Sequence, residues 1–260
     1  QKKSVIFTSA TLTVNDSFAY IKEELGLHDF APNTLQVPSP FRFEEQMKLM
    51  VSTDVPFIKK ASNEEYIESV SAHIAKIAKA TKGRMLVLFT SYEMLKEAYT
   101  NLKNDEELEG YLLLTQSVNN KSRSRLIRKF QEFDKSILLG TSSFWEGIDI
   151  PGDALSCLVI VRLPFTPPHQ PMIEAKGEWL KNQGEDVFAK LALPQAILRF
   201  KQGFGRLIRT STDTGTVFVL DRRLTSSSYG KHFLQSIPTV PLYEGSLEEL
   251  LEQLKERPTE

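Results

Sequence analysis

Apolar residues recur along the chain in two rhythms that alternate. Short continuous runs, several of them β-branched, read as buried strands: Val5-Ile6-Phe7, Met47 to Val51, Met85 to Thr90, Tyr111 to Leu114, Ile137 to Gly140, Leu158 to Leu163 and Thr216 to Leu220. Between them, apolar positions fall at helical spacing. Ile67, Val70, Ile74, Ile77 and Ala78 form one such stripe, and Met94, Leu95, Ala98 and Leu102 a second. Leu126, Ile127, Phe130 and Phe133 form a third, and Leu191 to Ile208 a fourth. Ser246 followed by Glu249, ahead of Leu247, Leu250, Leu251 and Leu254, predicts a capped helix to Lys255. Strands alternating with helices predict an α/β fold, a parallel sheet with helices on both faces.

Two aperiodic stretches punctuate this pattern. Ala31 to Phe43 carries three prolines and predicts a connector, dividing the chain into residues 1–42 and 43–260. Pro164 to Pro171 follows a strand directly, which predicts a crossing of the sheet's carboxyl edge, where open α/β sheets bind ligands.

Composition narrows the chemistry. The 260 residues carry 32 Lys+Arg against 33 Asp+Glu, so contacts with nucleic acid must come from local patches. The one cysteine, Cys157, excludes an internal disulfide framework and an all-cysteine iron–sulfur or zinc site in this chain, and predicts a cytoplasmic setting. The four histidines lack paired metal spacing, so no metal site is expected. No apolar run approaches the roughly 20 residues of a membrane span.

Four segments bear chemistry. Phe7-Thr8-Ser9-Ala10-Thr11 and Phe89-Thr90-Ser91-Tyr92 each take an apparent strand into hydroxyls, which suit a helix cap or a phosphate contact. Gly140-Thr141-Ser142-Ser143-Phe144-Trp145-Glu146-Gly147-Ile148-Asp149 places an aromatic pair and a carboxylate after a strand, suited to a structural turn or to a ribose or arginine partner. Gln202-Gly203-Phe204-Gly205-Arg206-Leu207-Ile208-Arg209, read as helix, sets Gln202, Arg206 and Arg209 on one face. Its two glycines cost about 1 kcal/mol each against Ala, so something must require them. Paired guanidiniums suit either surface carboxylates or the oxygens of a triphosphate.

In this order the four segments resemble motifs III to VI of superfamily 2 helicases, in the XPD and DinG branch. Phe144 to Asp149 and Gln202 to Arg209 are the specific ones, strengthened by Val37-Pro38-Ser39-Pro40-Phe41 and Arg162 to Pro168. The resemblance runs from Val5 to about Arg223. It implies a RecA-like second motor domain at 43–260, preceded by the tail of a first motor domain and a connector at 1–42. It further implies that Arg206 and Arg209 act as catalytic arginine fingers toward ATP, with Gln202, Gly147 and Asp149 contacting nucleotide. Ser91, Tyr92, Thr141, Ser142 and Trp145 would touch single-stranded DNA, Trp145 by stacking, and Ser9 and Thr11 would couple the two sites. ATP and Mg²⁺ are the implied cofactors, the first motor domain and single-stranded DNA the partners, and 5′-to-3′ travel the polarity. An upstream 3′-5′ exonuclease domain is implied by likeness to the low-GC Gram-positive form.

The chain holds no G-x-x-x-x-G-K-[ST] phosphate loop and no acidic box behind a strand. Asp105-Glu106-Glu107 follows a polar run and predicts a solvated turn. With its start at Gln1, this predicts a piece of a longer protein that is inactive alone as an ATPase. A nucleic-acid-binding or regulatory module that keeps the fold without motor activity is the alternative.

Overall fold

The computed structural model describes residues 4–27, 29–57, 60–115, 123–145, 150 and 154–255. Helix α1 is Ala19–Glu24 and α2 Phe43–Gln46; β1 (Met47–Ser52) then opens the sheet. There follow α3 (Asn63–Thr81), β2 (Met85–Leu88), α4 (Tyr92–Lys103), β3 (Leu112–Thr115), α5 (Arg123–Glu132) and β4 (Ser136–Gly140). The short α6 (Ser142–Trp145) precedes β5 (Cys157–Ile160), α7 (Pro171–Asn182) and α8 (Leu193–Phe204). Then come β6 (Gly215–Val219), α9 (Arg223–Ser226), α10 (Gly230–Ser236), β7 (Leu242–Gly245) and α11 (Leu247–Lys255).

The seven strands form one sheet in the order β3-β4-β2-β5-β6-β1-β7, with every pairing parallel. Alternation along the strands splits the core in two. Leu86, Leu88, Leu138, Leu158, Ile160, Val217 and Val219 face α8 and α10, whereas Met85, Val87, Ile137, Leu139, Val159 and Phe218 face α3, α4 and α11. Both faces are therefore covered, as the continuous apolar runs require.

Local chemistry sets the helix ends. Ser62 and Glu65 cap α3 reciprocally, at 3.2 and 2.9 Å, and Ser246 with Glu249 does the same for α11. After α3 the chain turns through Lys82 and Gly83, both at positive φ, and a Cβ on Gly83 would lie 2.7 Å from the Lys135 Cα. Only glycine lets the two backbones meet there. Asp105 caps a single 3₁₀ turn, the solvated turn expected of that acidic run.

Three expectations are corrected. Val5-Ile6-Phe7 is not a strand among the described residues: it pairs with nothing in the sheet, and Ile6 is 86% exposed. The helix α5 stops at Glu132, so Phe133 falls beyond it and lies exposed. The helix expected up to Arg209 ends at Phe204, with Gly205 as its cap. The periodicity also missed several elements, among them α7, entered by Pro171 at its first position, and the edge strand β7.

Candidate functional site: a joint at the carboxyl edge of the sheet

The informative segments meet where β2 and β4 end and α8 passes over them. Gly140 closes β4, and a Cβ there would overlap the Phe144 side chain, so glycine is what lets α6 fold straight back. That fold delivers Trp145 into the core, where it is 2% exposed and its Nε1 donates to the Phe89 carbonyl just past β2 at 3.1 Å. The indole lies against α8 at Gly203, whose missing Cβ would sit 3.0 Å from two ring carbons. Gly203 is thus the glycine that close approach requires, and what approaches is an indole of the same chain. Stacking of Trp145 on a DNA base is corrected accordingly, because both its ring and its N–H are committed inside.

Arg206 completes the joint. It is 7% exposed, and its Nη2 donates to the Trp145 carbonyl at 2.6 Å. Arg206 and Arg209 lie beyond the end of α8, in the loop after it, so the single helical face expected for Gln202, Arg206 and Arg209 does not form. The reason is that Gly205 ends the ladder and the Arg206 N–H turns back to the Gly203 carbonyl at 3.3 Å.

Arg209 is exposed, and its backbone is held by Asp213, which pattern reading did not single out. The buried Asp213 carboxylate accepts the Arg209 and Thr210 N–H groups at 2.8 Å each and the Thr210 hydroxyl at 2.7 Å. Burial raises the carboxyl's pKa, but those bonds, led by the Thr210 hydroxyl, outweigh it and hold it below the usual range. From behind, Gln46 Nε2 donates to the Asp213 carbonyl at 2.8 Å and the Thr210 carbonyl at 3.1 Å. The loop that presents Arg209 is therefore fastened on both sides.

The other predicted residues separate. Gln202 has a buried Oε1 with no hydrogen-bond partner. Ser91 Oγ accepts the Met94 N–H at 3.4 Å as the cap of α4, and Tyr92 beside it is 41% exposed. Thr141 is buried, with its carbonyl taking the Phe144 N–H at 2.7 Å, and Ser142 begins α6. Gly147 and Asp149 lie outside the described residues. Ser9 and Thr11 bond to each other at 3.3 Å, distant in sequence from every other group of the joint. The nearby Lys201 reaches the buried Thr13 at 3.2 Å, and burial lowers its pKa against the opposing pull of Asp16. Cys157 lies fully buried in β5, where burial pushes its thiol up to about 12. Among the described residues no group of three or more His, Cys, Asp or Glu could hold a metal ion, and no helix is long and apolar enough to cross a membrane.

Comparison with known proteins gives the family. Residues 74–240 match the model of the helicase C-terminal domain. The chain is 42% identical over 250 residues to the 3′-5′ exonuclease DinG of Bacillus subtilis (strain 168), covering 96% of this chain and 27% of that protein. It is 38% identical over 233 residues to the ATP-dependent DNA helicase YoaA of Haemophilus influenzae, covering 90% of this chain and 35% of that protein. The chain thus spans about a third or less of these relatives. Among solved structures, an XPD helicase superposes with a TM-score of 0.59 at 20% identity, over 77% of this chain and 36% of that one. That likeness shows a RecA-like fold. The chain belongs to the helicase C-terminal domain family.

Proposed function

We propose that this chain supplies the second half of an interdomain ATP site in a DNA helicase, with residues 1–42 belonging to the first motor domain and the connector. The observation that carries this reading is the joint itself. Trp145, Gly203 and Arg206 lock the loop after β4 to the end of α8, and the Asp213 clasp then holds the exposed Arg209 in the segment that leads from α8 to the start of β6. A guanidinium that reaches the surface on a loop fastened by Asp213 suits an anion brought from elsewhere.

The donor set fits half of an ATP site. Arg209 would meet terminal phosphate oxygens, Arg206 would stand behind it, and Gln202, Gly147 and Asp149 would contact the rest of the nucleotide. ATP with Mg²⁺, when bound, supplies the phosphoryl group whose transfer drives movement. The residues here neutralise and orient. Single-stranded DNA would cross the opposite surface, the carboxyl edge of the sheet, at Ser91, Tyr92, Thr141 and Ser142. The name of the B. subtilis relative supports a 3′-5′ exonuclease elsewhere in the longer protein.

Because a guanidinium that meets the phosphate only in the closed cleft favours the transition state over the ground state, Arg209→Ala in the full-length protein should lower kcat for ATP hydrolysis by about 10³. KM for ATP and single-strand affinity should change little. Arg206→Ala should add a loss of thermal stability, since it also strips the Trp145 carbonyl of its donor. The isolated 260-residue chain should not hydrolyse ATP. Near-normal turnover by Arg209→Ala, in a steady-state assay with single-stranded DNA, would falsify the assignment.

A further inference from the structure

Three adjacent strands, β5, β6 and β1, end in a second feature that the ATP half-site does not use. The segments following them enclose a cavity of about 410 Å³, with Val55, Pro56, Phe57, Tyr66 and Leu220 as apolar walls. Five charged groups line it: Lys60, Arg162, Asp221, Arg222 and Arg223. The one acid is already taken. Arg223 donates to Asp221 from Nε at 2.8 Å and from Nη2 at 2.5 Å, and the Leu163 N–H adds a third bond at 2.9 Å. The hydrogen bonds to Asp221 raise the Arg223 pKa above its ordinary value.

Lys60, Arg162 and Arg222 make no ion pair with any described residue. The Arg222 guanidinium instead lies 4.2 Å from the centre of the Phe57 ring, and the Lys60 ammonium lies 5.8 Å from the same ring. An aromatic platform holds a guanidinium flat and leaves its N–H edge for another acceptor. Arg162, whose described contact is with Met94 Sδ at 3.9 Å, brings the third charge from the end of β5. Three cations around an apolar hollow repel one another, and a bound anion relieves that repulsion.

We infer that this hollow holds a backbone phosphate of single-stranded DNA, gripped by Arg222, Lys60 and Arg162. The inference rests on the reading of the sheet edge as a DNA-facing surface and extends it to a second contact. β2, which carries Ser91 and Tyr92 at its end, lies one to three strands from β5, β6 and β1, or about 5–15 Å along the edge at the spacing of neighbouring strands. A strand that crosses the edge at Tyr92 therefore passes the hollow within a few nucleotides.

The test uses the whole chain and a fluorescein-labelled oligothymidylate, titrated by fluorescence anisotropy at several salt concentrations, with thermal melting to verify that each variant folds. Arg222→Ala and the exposed Lys60→Ala should each weaken binding about five-fold and reduce the slope of log affinity against log salt by about 0.7, the value for one phosphate contact on a single strand. Lys181→Ala, on the exposed end of α7, should leave both unchanged. Folded Arg222 and Lys60 variants with unaltered affinity and slope overturn the pocket while leaving the DNA-facing edge in place, as does an equal loss from Lys181→Ala. Displacement of the oligonucleotide by inorganic phosphate, but not by chloride at matched ionic strength, reassigns the hollow to a free phosphate. Absence of any oligonucleotide binding by the unaltered chain removes the edge reading and the pocket together.

Discussion

Phe7-Thr8-Ser9 and Phe89-Thr90-Ser91 are the same three residues, each preceded by a short apolar run, and the molecule treats them oppositely. The second closes β2, an inner strand of the sheet, paired on one side with β4 and on the other with β5, and the Phe89 N–H continues the ladder to the Gly140 carbonyl at 2.9 Å. The first lies exposed, with Ser9 and Thr11 bonded only into their own turn. An apolar run becomes a strand when neighbours satisfy its N–H and C=O groups and cover its faces. The run at Leu86 has both kinds of neighbour in this chain. The run at Val5 has neither, which agrees with the proposal that its sheet belongs to another part of a longer protein.

The largest expected effect comes from truncating the two runs at matched positions. Leu88 is fully buried between the sheet and α8, so Leu88→Ala should cost about 2–5 kcal/mol by lost transfer energy and the cavity left behind. Ile6→Ala removes an exposed side chain and should stay within about 0.5 kcal/mol. Urea unfolding of the two variants measures both. A large loss at Ile6 would show that the N-terminal run is packed, and would break the contrast.

A smaller effect sharpens the account of what β2 supports. Gly203→Ala gains about 1 kcal/mol of helix propensity. It also drives a methyl to 3.0 Å from an indole that is bonded to the Phe89 carbonyl and whose own carbonyl is tied to Arg206. Overpacking of that kind costs about 1–3 kcal/mol, so the two terms leave a net loss of about 1 kcal/mol. A stabilised Gly203→Ala protein would mean that the indole yields, and that the joint is looser than its geometry.

Much of this architecture was legible because parallel strands buried on both faces leave no polar positions. Six of the seven strands show as apolar runs, as do α3 and α4 as stripes. The misses have physical causes. β7 is an edge strand whose residues are half-buried or exposed, so its pattern is too diluted to read. The end of α8 hides because Gly205 interrupts a run that stays apolar through Leu207 and Ile208, which are buried in the loop as deeply as in a helix. At the site, residue types alone pointed to Arg206, Arg209 and Gln202. They did not tell an indole that stacks on a ligand from one that plugs a core, since both look like Phe-Trp after a glycine. Asp213 gave no signal beyond a Thr-Ser-Thr-Asp-Thr loop composition, because its role arises from the chain folding back onto the Arg209 N–H.

The smallest effect separates the two hydroxyl sequences themselves. Ser91 Oγ takes the Met94 N–H, one of the donors that the first turn of α4 leaves unpaired, and the helix it caps buries Met94, Leu95 and Ala98 against the sheet. Losing a serine cap costs about 0.5–2 kcal/mol, and the 3.4 Å length of this bond places Ser91→Ala at the low end, near 0.5 kcal/mol. Ser9 also accepts an N–H, from Thr11 at 3.2 Å, yet no helix follows it before Ala19 and the turn is open to water, which replaces the bond at little cost. Ser9→Ala should therefore leave the melting temperature of this chain unmoved, whereas Ser91→Ala lowers it by a few degrees or less. Equal shifts in both variants would mean that the N-terminal turn is packed against the domain after all. An unmoved Ser91→Ala would free that hydroxyl for the DNA contact, to be read as weakened oligonucleotide binding at unchanged stability.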